Sequence, residues 1–257
     1  MTTIAVNGQT IHYTDSAGSG PTLVFSHGAL LDSTMWESQI AALSPAFRCI
    51  AWDARLHGRT QEADSTHTDW DSARDLLGLL DALGIETATL IGHSQGGFVS
   101  LRAALLSPGR FDALVLLDTM AAAWPAEAVE QMGGARDGLA VAGPDAVAPA
   151  LLPTLIGRED LHEAWLDKWR AQPQRRLADA MSVLMSADDV QGRLSEITVP
   201  VLGIHGEDDH IVPLEAGRAL HKALPVAKGF VVVPGAAHTP ALSHPDVVTP
   251  AIVEFLG

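Results

Sequence analysis

Apolar and polar positions alternate with a period of two at the start of the chain, over Ile4 to Val6 and again over Ile11 to Tyr13. Asn7-Gly8 between them is a two-residue hairpin signal, so the chain is expected to open with antiparallel edge strands. The rhythm then changes. An apolar run, Thr22 to Ser26, leads to an amphipathic stretch from Met35 to Leu43 and to a second apolar run, Phe47 to Trp52. A long helix is expected next, opened by the capping box Thr68-Asp69-Trp70-Asp71, striped with Ala73, Leu76, Leu77 and Leu80, and stopped at Leu83-Gly84. Alternation of this kind predicts a parallel sheet covered by helices on both faces.

Ala88 to Ile91 and Ala113 to Leu117 are apolar runs of the sort buried on both faces. Between them Phe98, Val99, Ala103 and Leu106 recur at helical spacing until Pro108-Gly109. After Asp118 the pattern stops. From about Ala121 to Ser195 the chain is rich in Ala, Gly and Pro and shows no strand, and the rhythm resumes with Val199 to His205, Leu214 to Leu224 and Phe230 to Val233. Val247 to Leu256 closes the chain as a helix. The expected organisation is one α/β core, residues 1–120 and 196–257, with residues 121–195 inserted as a helical cap.

Composition narrows the partners. With 16 basic against 31 acidic residues the net charge is −15, a field that repels phosphate backbones and anionic lipid. Neither nucleic acid nor a membrane is an expected partner. Met-Thr-Thr-Ile-Ala-Val-Asn-Gly lacks the basic start and apolar run of a signal peptide, and no stretch is long enough to span a bilayer, so a soluble, cytoplasmic protein is expected. The single cysteine, Cys49, lies within the apolar run before Trp52 and reads as packing. Oligomeric state is not encoded in these features.

The chemistry centres on Gly92-His93-Ser94-Gln95-Gly96, set between a strand and a helix. In such an elbow the serine sits on a strained turn that lifts its hydroxyl clear of the sheet, and the flanking glycines allow close backbone approach. A serine hydroxyl must lose its proton to an adjacent base to attack a carbonyl. Among 11 histidines, His238 is the candidate, in the small-residue loop Gly235-Ala236-Ala237-His238 after the last apolar run.

Through His27-Gly28, the elbow, Gly206-Glu207-Asp208-Asp209 with Pro213, and Gly235-Ala236-Ala237-His238, the chain resembles the α/β-hydrolase superfamily over essentially its whole length. That resemblance implies a roughly eight-stranded, mostly parallel sheet and a triad of Ser94, Asp209 and His238. Asp118 is the alternative acid, because some relatives carry it after the preceding core strand. The resemblance places the oxyanion hole at the backbone amides of Ala29 and Gln95, with His27 buttressing the loop that carries Ala29. Asp53 to Arg59 resembles the family's charged loop, with a positioning role.

A serine at position 94 is incompatible with the aspartate nucleophile of dehalogenases and epoxide hydrolases of this fold. The loop from Gly28 to Trp36 looks like that of enol-lactonases and small carboxylesterases. The expected activity is therefore hydrolysis of a small-molecule carboxylic ester or lactone. Alternatives on the same triad are carbon–carbon bond hydrolysis and perhydrolase chemistry, and outside enzymology a receptor that holds a ligand under the cap. The spacings of His57, His205, His210 and His244 match no metal-ligand pattern, and no G-x-G-x-x-G or P-loop occurs, so neither a metal nor a cofactor is expected. Trp124, Trp165 and Trp169 in the cap are expected to line the substrate pocket.

Overall fold

Asn7 and Gly8 both take positive φ, 48° and 77°, the backbone that a tight hairpin turn demands. They join β1 (Thr2–Val6) to β2 (Gln9–Asp15) as an antiparallel pair. The computed structural model describes residues 2–61 and 66–257. In it, β3 (Thr22–Ser26), β4 (Arg48–Trp52), β5 (Ala88–His93), β6 (Phe111–Leu117), β7 (Val201–Gly206) and β8 (Ala227–Val233) complete an eight-stranded sheet. The order is β1-β2-β4-β3-β5-β6-β7-β8; β2 meets β4 antiparallel, and every later pairing is parallel. Every residue of β5 and β7 is buried, which is why neither shows alternation in the sequence.

Helices α1 (Glu37–Leu43), α2 (Asp69–Ala82), α3 (Gln95–Leu106), α8 (Leu214–Ala223), α9 (Pro240–Ser243) and α10 (Pro245–Leu256) belong to the core, whose buried apolar residues form two clusters. Between β6 and β7 come α4 (Ala126–Ala142), α5 (Pro144–Leu155), α6 (His162–Arg170) and α7 (Gln174–Met185), with no strand among them. The α2 cap forms as its sequence requires: Thr68 accepts from the Asp71 amide while the Asp71 carboxylate accepts from Thr68 N–H.

Local chemistry moves several boundaries. Residues 33–36 form a 3-10 turn capped by Asp32, which accepts from Thr34 N–H, so the α-helix begins only at Glu37. Pro200 lacks the N–H that the ladder needs, and β7 starts one residue later. The last helix starts at Pro245, since proline suits a first helical turn. Among the described residues no helix is long and apolar enough to cross a membrane.

Asp53, just beyond β4, ties the loops at this edge together. It is buried, with Oδ1 accepting from Ser33 N–H at 2.8 Å, Oδ2 accepting from Arg59 N–H at 2.8 Å, and His12 Nδ1 at 3.1 Å. Burial pushes its carboxyl up, but His12, His27 and the two amide donors outweigh burial and hold it well below the usual carboxylate range. Arg55 in the same loop pairs with Asp75 of α2. Asp53→Ala would strand the Ser33 and Arg59 amides without an acceptor and should cost about 3–5 kcal/mol in denaturant unfolding. Because the folded carboxyl lies below its unfolded value near 4, that contribution is present above about pH 4 and is lost as pH falls further. Wild type and variant should therefore converge toward acid; equal stability at pH 7 would contradict this role.

Candidate active site

Ser94 sits between β5 and α3 with φ 51° and ψ −117°, a conformation that a side-chain-bearing residue adopts only when its surroundings over-determine it. Here they do. Ser94 N–H donates to Leu117 O at 2.9 Å, and Ser94 O accepts from Gly97 N–H, Phe98 N–H and Thr119 Oγ at 2.8, 3.1 and 2.8 Å. A Cβ at Gly96 would run into the carbonyls of Ser26 and His27, and one at Gly92 would lie 2.5 Å from Ser100 Oγ and from Gly96 O. Both glycines are required by close approach.

His238 lies in the loop after β8, 1% exposed. Its Nδ1 donates to Asp209 Oδ2 at 2.8 Å, which leaves Nε2 free of the proton in the neutral ring. Asp209 sits in the turn after β7, where Oδ1 accepts from Ile211 and Val212 N–H at 2.8 and 3.0 Å. Burial pushes this carboxyl up, but His238, His205 and their hydrogen bonds prevail, and it stays well below the usual carboxylate range. Asp209 is therefore ionised beneath the imidazole.

Asp118 is not the partner of His238. It follows β6 with φ 47°, and its Oδ1 accepts from Gly206 N–H at 2.7 Å. Its Oδ2 is buried without a donor. Burial first, then the adjacent Asp209 charge, push Asp118 well above the usual carboxylate range, against the opposing Gly206 amide. Asp118, Asp209 and His238 carry ligand-type atoms within 4.8 Å of one another. Those of Asp209 and His238 already bond each other and Asp118 Oδ1 already bonds Gly206, so an ion would have to displace these bonds.

Ala29, Leu30, Ser94 and His238 face one cavity of about 180 Å³ under the inserted helices. The first amides of a helix have no intrahelical partner and carry the positive end of its dipole, which describes Gln95 at the start of α3. His27 fixes the Ala29 loop by donating from Nδ1 to Gly28 O at 2.8 Å and accepting Ala54 N–H on Nε2 at 3.0 Å.

The three cap tryptophans do not line this cavity. Trp124 packs edge-on against Phe98, Trp165 lies 4.2 Å beneath the Lys168 ammonium, and Trp169 Nε1 donates to Leu30 O at 2.7 Å. Trp169 thus holds the loop that carries Ala29, and the cavity wall comes from slimmer side chains of α4, α5 and α7. Tryptophans are large enough to seal the inserted helices onto the α/β body, where these three share one buried cluster with Phe25, Leu30 and Phe98, and the sequence does not separate that use from a pocket wall.

Three residues named in the sequence for other reasons make supporting contacts that it does not announce. His205, at the end of β7, donates from Nε2 to Val212 O at 2.8 Å and lies 3.3 Å from Asp209 Oδ2. Its signal is a polar side chain inside an otherwise apolar strand. His93 Nε2 donates to His238 O at 2.7 Å; burial first, then His238, lower it to about 3, so its ring stays neutral. Asp69, at the first position of α2, accepts from Gln95 Nε2 at 3.0 Å and so fixes the residue after Ser94.

The alpha/beta hydrolase family matches residues 23–251. The chain belongs to that family. A thermophilic esterase from Thermogutta terrifontis is similar, with a TM-score of 0.89 and 31% identity, covering 99% of this chain and 96% of its own. The enol-lactonase from Burkholderia xenovorans LB400 superposes with a TM-score of 0.90 at 28% identity over 99% of both chains. A pimeloyl-[acyl-carrier protein] methyl ester esterase of Pectobacterium carotovorum is 28% identical over 95% of this chain and 97% of its own.

Asp69 makes one feature of this hydrolase site testable through stability. Burial raises its carboxyl to about 6, aided by Asp188 and opposed by Arg102 and Gln95, and its Oδ2 has no hydrogen-bond partner. For a raised acid, the favourable contribution is full below the unfolded value near 4 and is lost as pH rises through about 6. Asp69→Asn keeps an acceptor for Gln95 and removes the titration. It should exceed wild type in stability at pH 8 by up to about 3 kcal/mol, with the gap closing below about pH 4. Thermal melts at the two pH values check this, and a pH-independent gap would rule it out.

Proposed function

We propose that this chain hydrolyses a carboxylic ester or lactone through an acyl-enzyme, with Ser94 as nucleophile, His238 as base and Asp209 as the acid that orients it. The observation that carries the reading is the His238 Nδ1 to Asp209 Oδ2 hydrogen bond of 2.8 Å, behind a histidine that shares its cavity with Ser94. The similarity to esterases and an enol-lactonase supports the same reaction class. In this mechanism Ser94 Oγ attacks the carbonyl carbon as His238 Nε2 takes its proton, and the Ala29 and Gln95 amides receive the developing oxyanion. Collapse of the tetrahedral intermediate breaks the C–O bond, and His238 returns the proton to the departing alkoxide. Water, deprotonated by His238, then attacks the acyl carbon; the bond from that carbon to Ser94 Oγ breaks, His238 returns the proton to Oγ, and the acid leaves. In a lactone the alcohol and acid remain one molecule.

The acid follows from charge as well as distance. Asp209 is the carboxylate on His238, while Asp118 has its proton favoured by burial and by Asp209 itself. A neutral carboxyl cannot stabilise an imidazolium as a charge does. His205 and His93 act through other groups, one beside the Asp209 carboxylate and the other under the His238 backbone.

Steady multiple turnover of p-nitrophenyl acyl esters tests the reading against a receptor that only binds. Ser94→Ala and His238→Ala should each lower kcat by several orders of magnitude while leaving the fold intact by circular dichroism, and a chelator should change neither rate nor KM. Near-wild-type activity in Ser94→Ala would end this account. Asp209→Asn keeps the shape but removes the charge and should cost roughly four orders of magnitude in kcat, whereas Asp118→Asn, whose amide mimics a neutral carboxyl, should cost less than about tenfold. The reverse ranking would move the acid to Asp118.

A further inference from the structure

The wall of the cavity says what kind of group it accepts. Beyond Ser94, His238 and the exposed Gln131, its lining is carried by Met132, Leu151, Leu155, Met181, Leu184 and Ile211, with no lysine or arginine. Cap cations close in sequence are engaged elsewhere. Lys168 Nζ sits 3.0 Å from Asp32 and over Trp165, Arg170 pairs with Asp145, Glu163 and Asp167, and Arg158 pairs with Asp160. A chain of net charge −15 adds a general field that opposes anions.

Resting on the ester-hydrolase reading above, we propose that this cavity accepts a neutral, apolar chain or ring of about six to eight carbons and rejects an equally long chain that ends in a carboxylate. The size follows from the volume: about 180 Å³ slightly exceeds the roughly 150 Å³ apolar cavity that holds a benzene ring. The charge preference follows from desolvation. A carboxylate pushed against Met and Leu side chains loses its water and finds no cationic partner, which is far costlier than leaving it in solution. Two methionines on neighbouring helices, Met132 of α4 and Met181 of α7, make the wall adaptable, so the length optimum is broad rather than sharp.

The test uses matched esters on the wild-type protein. For whichever side of the ester enters the cavity, kcat/KM should rise by up to about fourfold per methylene up to six to eight carbons and then level or fall. Two isosteric pairs separate neutral from anionic: p-nitrophenyl heptanoate against the p-nitrophenyl monoester of adipate, and heptyl acetate against 6-acetoxyhexanoate. In at least one pair the neutral ester should be favoured by a hundredfold or more. Discrimination below a hundredfold in both pairs, or preference for the anion, would overturn the proposal while leaving the ester-hydrolase reading intact. A binding arm keeps the two separable in the other direction: heptanamide should raise Tm where adipate at equal concentration does not. If heptanamide stabilises but no ester turns over, the cavity assignment stands and the hydrolase reading falls.

Discussion

The turn at Ser94 is the constraint on which the rest of the site depends. A serine at φ 51° and ψ −117° costs on the order of 1–3 kcal/mol, and the structure holds it there through three strand ends at once. β6 supplies Leu117 O to the Ser94 amide and, just beyond the strand, Thr119 Oγ to the Ser94 carbonyl. β3 ends so close to Gly96 that no Cβ fits between them, which brings the Ala29 loop beside the elbow. β5 leads into the turn itself. The parallel order β3-β5-β6 is thus what makes the strained residue affordable, and the same order puts Ser94 and the Ala29 loop, the proposed nucleophile and oxyanion donor, at one edge.

Buried carboxyls in this fold are sorted by their donors. Asp53 and Asp209 have partners on both oxygens, backbone amides on one or both and histidine nearby, and both are held in the ionised form. Asp69 and Asp118 are as deeply buried, yet in each Oδ2 lacks a donor, and both are shifted toward the protonated form. Desolvation is large in all four cases, so the hydrogen-bond and charge complement decides which way each goes. The consequence for chemistry is that the carboxylate bonded to His238 is the one held toward its charged form, Asp209, while burial and that same charge push the neighbouring Asp118 toward its protonated form.

Much of this was legible in the sequence because its signals are local. The Asn7-Gly8 hairpin, the Thr68 cap, the doubly buried strands and the glycine-flanked elbow each follow from a few adjacent residues whose backbone needs are distinctive. Ser94, Asp209 and His238 could be placed because the loops that carry them resemble the family. What sequence could not supply is side-chain geometry between distant segments. His205 and Asp209 are neighbours only because the turn after β7 folds back on its strand, and Asp69 reaches Gln95 only through α2 packing on α3. The tryptophans of the insertion show the same limit from the other side: size and apolar character suit a pocket wall and a buried seam against the α/β body equally, and only the packing chose the seam.

That choice has a mechanical meaning. The inserted helices are fastened to both halves of the proposed machinery: Trp169 Nε1 grips Leu30 O on the oxyanion loop, while Thr154 O receives the His238 amide and Leu155 O receives the Thr239 hydroxyl on the base loop. The bond to the Thr239 hydroxyl, at 2.6 Å, is buried and so is not exchanged cheaply for water. The insertion is therefore poorly suited to swing as a free lid, since opening at α5 would pull on His238 itself. Its side chains shape the cavity while its backbone holds the His238 loop, so the cavity wall and the placement of the proposed base share one structural element. A change in α5 that alters the pocket should be felt in turnover as well as in affinity, because no joint separates the wall of the cavity from the loop that carries the histidine.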